Sequence, residues 1–168
     1  MTVLRARGAR FVRDGRELVA PFSLALAAGE TRTLELPEPA TAGIAARMCA
    51  AIVKPTEGSI YVGEYETRLQ PPQCKRLVGF ADGAGFDGDD HAFRCEIGFR
   101  ADVWGLDARE AQARGRAVLD ALGDGDYARG VALALVPDVA LVVLDRPPGR
   151  VVSRVRALAP AAGILRTR

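Results

Sequence analysis

Histidine, tryptophan and cysteine are scarce in this chain of 168 residues, which holds one His, one Trp and three Cys. Cys49, Cys74 and Cys95 lie far apart, form no C-x-x-C pair and have only His91 as an imidazole companion. That argues against a structural zinc site and leaves buried or incidental reduced thiols. Long hydrophobic runs are missing too, because Arg, Asp or Gly interrupts every apolar stretch before the roughly 18 residues of a membrane span. Direct membrane insertion is therefore not expected. The opening residues MTVLRARGARFVRDG have no apolar core ahead of a small-residue cleavage site, so the cytoplasm is the expected compartment. Nor is charge of one sign in excess: 23 Lys and Arg against 21 Asp and Glu leave a scattered +2. Nucleic acid is not an expected partner, since no aromatic residues interleave the arginines.

What is present suits one folded domain over residues 1–168: 49% hydrophobic residues for a core and 26% charged residues for a wetted surface. Alternating runs at Thr2 to Ala6, Leu18 to Leu26 and Thr31 to Leu36, separated by Asp14-Gly15 and Gly29-Glu30, predict strands joined by tight turns. From Thr41 the period changes, and Ile44, Met48 and Ile52 predict a helix that ends before Pro55. Strands follow at Ser59 to Val62 and Leu77 to Ala81, then a Gly- and Asp-rich loop from Asp82 to Asp90. Phe93, Ile97, Ala101 and Trp104 fall at helical spacing up to Gly105. A second helix is capped by Asp107 with Glu110 three residues on, has Leu119 and Leu122 on its buried side and stops at Gly123. Arg129 to Val136 predicts a short helix, and Val139 to Leu144 an aliphatic strand buried on both faces. A helix over Val151 to Leu158 and a strand starting at Gly163-Ile164-Leu165 complete the pattern. Antiparallel strands followed by helix–strand alternation predict an α/β core carrying a small β subdomain.

The order of these features resembles the nucleotide-binding domain of ATP-binding-cassette (ABC) transporters. The matching stretches are PFSLALAAGE, RMCAAIVKPTEGSIYVGEYETR, FRADVWGLDAREAQAR and ALALVPDVALVVLDRP, which cover nearly the whole chain. The resemblance implies a P-loop NTPase-like core with an N-terminal antiparallel β subdomain, a shortened helical subdomain at 93–123, a phosphate loop at 36–44 and a Walker B-like strand at 139–146. It also implies departures at each functional motif. On G-x-x-x-x-G-K-[ST], Leu36, Pro39 and Thr41 stand for glycines, Ala42 for the lysine and Gly43 for the magnesium-binding hydroxyl. Proline has no N–H to offer a phosphate, and Glu38 adds a negative charge there. Such a charge pair costs about 4 kcal/mol at about 4 Å with an effective dielectric near 20.

Asp145 keeps the family's magnesium-binding position, but Arg146 replaces the catalytic glutamate, and Pro147-Pro148-Gly149-Arg150 replaces the dimer-contact loop. Asp82-Gly83-Ala84-Gly85 stands where a glutamine is normally offered, GDGDYARG replaces the L-S-G-G-Q signature, and the chain reads Arg166-Thr167-Arg168 where the switch histidine would come. The expected function is a non-catalytic structural or regulatory partner of a membrane permease or an intact ATPase subunit, cytoplasmic or peripheral at the membrane through that partner. No catalytic residue and no cofactor is expected. One alternative is an ATPase subunit with weak ATP and magnesium binding through Phe11, Thr41, Gly43 and Asp145. Another is a small-ligand module contacting Glu38 or Thr41 in the emptied cleft.

Several residues admit a second reading. Asp145 is a relic metal ligand or, preferably, an ion-paired cap at a strand end. Phe11 stands roughly where the family stacks adenine, with packing as the preferred role. Phe93, Phe99, Trp104 and Leu106 mark the surface that the resemblance assigns to the permease, although for Trp104, at helical spacing with Phe93 and Ile97, core packing of the helical subdomain is the preferred role. The Asp82 to His91 loop fails the EF-hand spacing and reads as a solvated flexible loop. Arg146, Arg150, Arg154, Arg156, Arg166 and Arg168 offer a basic face for acidic partners or headgroups.

Overall fold

The computed structural model describes residues 1–168. Two sheets organise it. Strands β1 (Thr2–Arg13), β2 (Arg16–Ala27), β4 (Glu57–Val62) and β5 (Tyr65–Glu66) form an antiparallel sheet in the order β2-β1-β4-β5. Strands β3 (Thr31–Leu34), β6 (Val78–Ala81), β7 (Leu141–Leu144) and β8 (Gly163–Thr167) form a parallel sheet in the order β3-β8-β7-β6. Six helices accompany them: α1 (Pro39–Cys49), α2 (Pro71–Leu77), α3 (Asp90–Trp104), α4 (Ala108–Leu122), α5 (Asp126–Leu135) and α6 (Val151–Leu158). None is long and apolar enough to cross a membrane.

The parallel sheet is buried on both faces, and the strand period of two sorts its side chains between two cores. Leu141, Val143 and Leu165 join α1 and the antiparallel sheet in one apolar cluster. Val142, Leu144 and Ile164 join α3 to α6 in the other. The aliphatic run ending in Asp145 is thus a central strand, flanked in parallel by β6 and β8. Asp107 caps α4 by accepting the Glu110 N–H at 2.9 Å, and Gly105 closes α3 in the left-handed region at φ 66°.

Several boundaries differ from the sequence expectation. The helix expected from Thr41 begins at Pro39, because proline at the first helical position needs no N–H partner. It also ends at Cys49: Ala51 turns left-handed at φ 57° and leaves Ile52 exposed instead of on the buried stripe. That stripe is built from small residues, Ala42, Gly43, Ala45 and Ala46, together with Met48 and Cys49. β1 runs to Arg13 because Gly8, at φ 54°, accommodates an irregularity opposite Gly58, where a Cβ would collide with the Gly8 carbonyl. Helix α2 has no counterpart in the sequence expectation: a proline pair can break a helix or open one, and here Pro71-Pro72 occupies the first turn; Leu77 ends the helix rather than starting a strand. α5 starts three residues before Arg129. Leu119 and Leu122 are only half-buried, the inner face of α4 being Ala111, Gly115 and Val118. β8 is a full strand in the middle of the sheet.

Candidate functional site at the carboxyl ends of the parallel strands

Open α/β sheets bind ligands beyond the carboxyl ends of their parallel strands, and those ends here bring together residues far apart in sequence. β7 leads directly into Asp145, which is fully buried. Its Oδ1 accepts hydrogen bonds from Nε of Arg146 at 3.1 Å and from the Thr167 hydroxyl at 3.0 Å. Its Oδ2 accepts from Nη2 of Arg146 at 3.1 Å and from the Gly83 amide at 3.1 Å. A carboxylate has about four lone-pair sites, so these four donors saturate it. Arg146 reaches back to its own neighbour because its backbone is left-handed, at φ 46°. Its amide in turn donates to the Thr167 hydroxyl at 3.3 Å. The bidentate bond to Asp145 raises the Arg146 pKa above its ordinary value, so the group stays cationic.

A second ion pair closes the same cleft. Arg47, one turn after Gly43 on α1, binds Asp82 at the end of β6 through Nη2. A Cβ at Gly43 would lie 3.2 Å from Nη1 of Arg47 and 3.4 Å from Oδ2 of Asp145, so both heads flank one point. A Cβ at Gly83 would collide with Nη2 of Arg146 and lie 2.8 Å from Oδ2 of Asp145. Two guanidinium and two carboxylate groups therefore converge with no net charge. Tyr127 of α5 faces them; its hydroxyl is buried without a partner. Burial, and then the charges of Asp145 and Asp82, push the phenol pKa up and keep it protonated.

The segment expected to wrap a phosphate is short. Only residues 35–38 form a loop between β3 and α1, so Ala42 and Gly43 lie within the helix, and the Ala42 amide donates to the Glu38 carbonyl at 3.0 Å. Glu38 is extended at the helix start and its side chain caps nothing. The Leu36 amide donates to the Arg168 carbonyl at 2.9 Å, tying this loop to the end of β8. Beside it lies an open cleft of about 260 Å³ lined by Arg16, Glu17, Leu36, Glu38 and Thr41, among others. Of the four expected nucleotide-site residues, Gly43 and Asp145 meet and Thr41 lines the neighbouring cleft. Phe11 lines neither; it sits opposite Val19 on β1 and packs on the first core.

The expected partner surface divides. Phe93 is buried, edge-on to Phe86 with ring centroids 5.8 Å apart, and Arg129 lies over its ring, so it belongs to the core. Leu106 also packs into that core, while Trp104 is half-buried outside it. Phe99 and Val103, one turn apart on α3, are 63% and 62% exposed. The Asp82 to His91 loop is not free. Arg129 donates to the Gly88 carbonyl at 2.7 Å and to Asp90 at 2.5 Å, and the Phe86 amide donates to the Asp126 carbonyl at 2.8 Å. No three His, Cys, Asp or Glu side chains converge as a ligand set.

Four of the six late arginines, Arg146 among them, bond within the chain, while the side chains of Arg150 and Arg168 are exposed without a partner. Arg154 binds the Ala121 carbonyl, Arg156 the carbonyls of Ala162 and Glu30, and Arg166 the Thr33 hydroxyl. Sequence reasoning gave no role to Arg47 or Thr167. An arginine four residues after Gly43, within an otherwise apolar helix, was the available signal for the first.

Neither a protein-family model nor a curated protein matches the sequence. Solved structures do match the fold. An ATP-binding subunit of an ABC transporter is 15% identical, with a TM-score of 0.77 over 99% of this chain and 79% of its own. A bacterial Atm1-family ABC exporter with ATP bound is 18% identical, with a TM-score of 0.70 over 99% of this chain and 34% of its own. CbiO1 from Clostridium perfringens, part of the ABC transporter complex CbiONQ, is 14% identical, with a TM-score of 0.67 over 99% of this chain and 78% of its own. The parallel sheet with its antiparallel and helical layers therefore has the fold of ABC transporter ATP-binding subunits.

Proposed function

We propose that this chain is a non-catalytic homologue of ABC transporter ATP-binding subunits, acting by docking as a structural or regulatory partner of a membrane permease or an intact ATPase subunit. The observation that carries the reading is the saturation of Asp145 by Arg146, Thr167 and Gly83. A carboxylate in that state has no lone pair left for a metal ion, and the guanidinium beside it cannot take a proton from an attacking water. Ala42 supplies no positive charge at the phosphate loop, while Glu38 and Pro39 oppose an anion at the start of α1. These residues do not fit a magnesium–triphosphate group, so we derive no step through one. Thr41, Gly43 and Asp145 are read as vestiges of a nucleotide site and Phe11 as a packing residue. Docking falls to the exposed Phe99 and Val103 with the half-buried Trp104. The protein acts in the cytoplasm, at the membrane only through its partner.

Calorimetry with ATP and magnesium on the purified chain, paired with co-purification from the native host, tests this reading. Millimolar or weaker affinity together with capture of a permease or ATPase subunit is the expected result. Micromolar affinity, or turnover abolished by Asp145→Ala, would overturn it in favour of an ATPase subunit. The cleft beside Glu38 and Thr41 supports a second, narrower reading as a small-ligand module, which predicts a ligand whose binding weakens in Glu38→Ala.

A further inference from the structure

The geometry points to Asp145, neutralised by Arg146 and bonded to Gly83 and Thr167, together with Arg47 bonded to Asp82, as a built-in lock on the carboxyl ends of the parallel strands, giving this chain a fixed arrangement that no bound ligand has to organise. The inference rests on the non-catalytic reading above and concerns conformation rather than partner. Four segments meet at the lock. Arg47 comes from α1, Asp82 and Gly83 from the end of β6, Asp145 and Arg146 from the end of β7, and Thr167 from β8. Their separations in sequence are large: 35 residues from Arg47 to Asp82, 62 from Gly83 to Asp145 and 22 from Asp145 to Thr167.

A cluster of two buried or half-buried carboxylates at such a point would repel itself and require a cation. Here the chain supplies two: Arg146 bonds Asp145 through Nε and Nη2, and Arg47 bonds Asp82 through Nη2. The position of the lock gives it a consequence. The segment after Asp82 leads directly into α3, and Phe86 and Gly88 are fastened to α5 through the Asp126 carbonyl and Arg129. Asp82 and Gly83 are therefore the joint between the sheet and the helices that present Phe99, Val103 and Trp104. With Arg47 bonded to Asp82 and Asp145 bonded to Gly83, that joint is fixed from two directions. The helices then hold a single posture toward the sheet.

Amide hydrogen exchange on the isolated chain tests this directly, with Arg47→Ala as the main variant and the nearly isosteric Asp82→Asn as one that preserves packing. In the native protein the amides of residues 82–86 are expected to be protected, and micromolar magnesium–ATP is expected to leave both their exchange and the melting temperature unchanged. In each variant those amides are expected to exchange at least tenfold faster, and in Arg47→Ala this happens 35 residues from the substitution. The inference is overturned by native-level protection of residues 82–86 in both variants, or by added protection of the native loop when magnesium–ATP is supplied. Failure of the native protein to capture any partner, with the expected protection of residues 82–86 and the expected faster exchange in both variants, would instead count against the docking reading alone.

Discussion

The carboxyl ends of the parallel strands and the outer face of α3 are opposites in how their groups are used. At the first, every oxygen of Asp145 and the head of Asp82 have donors from the chain itself, and helix α1 closes over them with small residues. On the second, Phe99 and Val103 stand in water one turn apart. Polar chemistry has been turned inward where this fold offers its ligand crevice, and apolar surface has been left where a partner can reach it. The comparison teaches that the same layers can close one surface with their own charges and leave another apolar and open; under the reading proposed above, the second is the working one.

The largest expected contrast lies between the thiols of the two regions. Cys49 is buried at the end of α1, and burial pushes its pKa up to about 12 from an ordinary 9.0. At pH 8 that cuts its thiolate fraction on the order of a thousandfold. Cys74 is also buried, donating to the Tyr65 carbonyl, whereas Cys95 is exposed on α3. Titration of the native protein with a thiol reagent should therefore find one fast thiol, absent in Cys95→Ser, and two that react only in denaturant. A fast Cys49 would break the contrast, because the α1 layer could then not be closed.

Next in size is Asp145→Ala. It strips the partner from Arg146, Thr167 and the Gly83 amide at a buried position, a change that costs about 3 kcal/mol. In a domain of this length that lowers the melting temperature by roughly 6–12 °C. An unchanged melt would mean that the converging charges contribute nothing to holding the strand ends.

Much of the fold was legible because its signals are local. The aliphatic run to Leu144, the Asp107 cap with Glu110, and Gly105 and Gly123 as stops are each written within a few residues, and the structure places them accordingly. Helix α2 was hidden by Pro71-Pro72, whose second meaning, a helix start, competes with the first. The site was half legible. That Asp145 would be ion-paired followed from Arg146 beside it, but Thr167 reaches it only through the parallel pairing of β7 with β8, and Arg47 reaches Asp82 only through the packing of α1, which no short window contains. Phe93 illustrates the same limit: helical spacing correctly gave it a helix, while its burial is set by Phe86 and by Arg129 from another helix.

A smaller effect sharpens the α3 side of the comparison. Asp89 caps that helix by accepting the Ala92 amide at 2.8 Å, and this bond, more than the charges of His91 and Arg129, holds its carboxyl below the usual value. A carboxylate lowered on folding contributes stability that is complete above its unfolded pKa and lost as pH falls through the folded one. Acidification below about pH 4 should therefore weaken exchange protection at the start of α3. Asp89→Asn, which keeps an acceptor without the titration, should remove that acid-dependent step; an identical profile in the variant would assign the step to another group.

The smallest expected change in stability belongs to Phe99→Ser combined with Val103→Ser. Both side chains lie outside the two apolar clusters, so removing them exposes nothing new, and the unfolding free energy should stay within about 0.5 kcal/mol of the native value. The effect on association should be the reverse. If α3 is the docking face, two apolar side chains at its centre carry a large share of the contact, and their loss should abolish capture of the partner from the native host while leaving the melt in place. The pairing of those two readouts is what matters: a fall in stability would make Phe99 and Val103 part of the core, and unaltered capture would move the working surface of this fold away from α3.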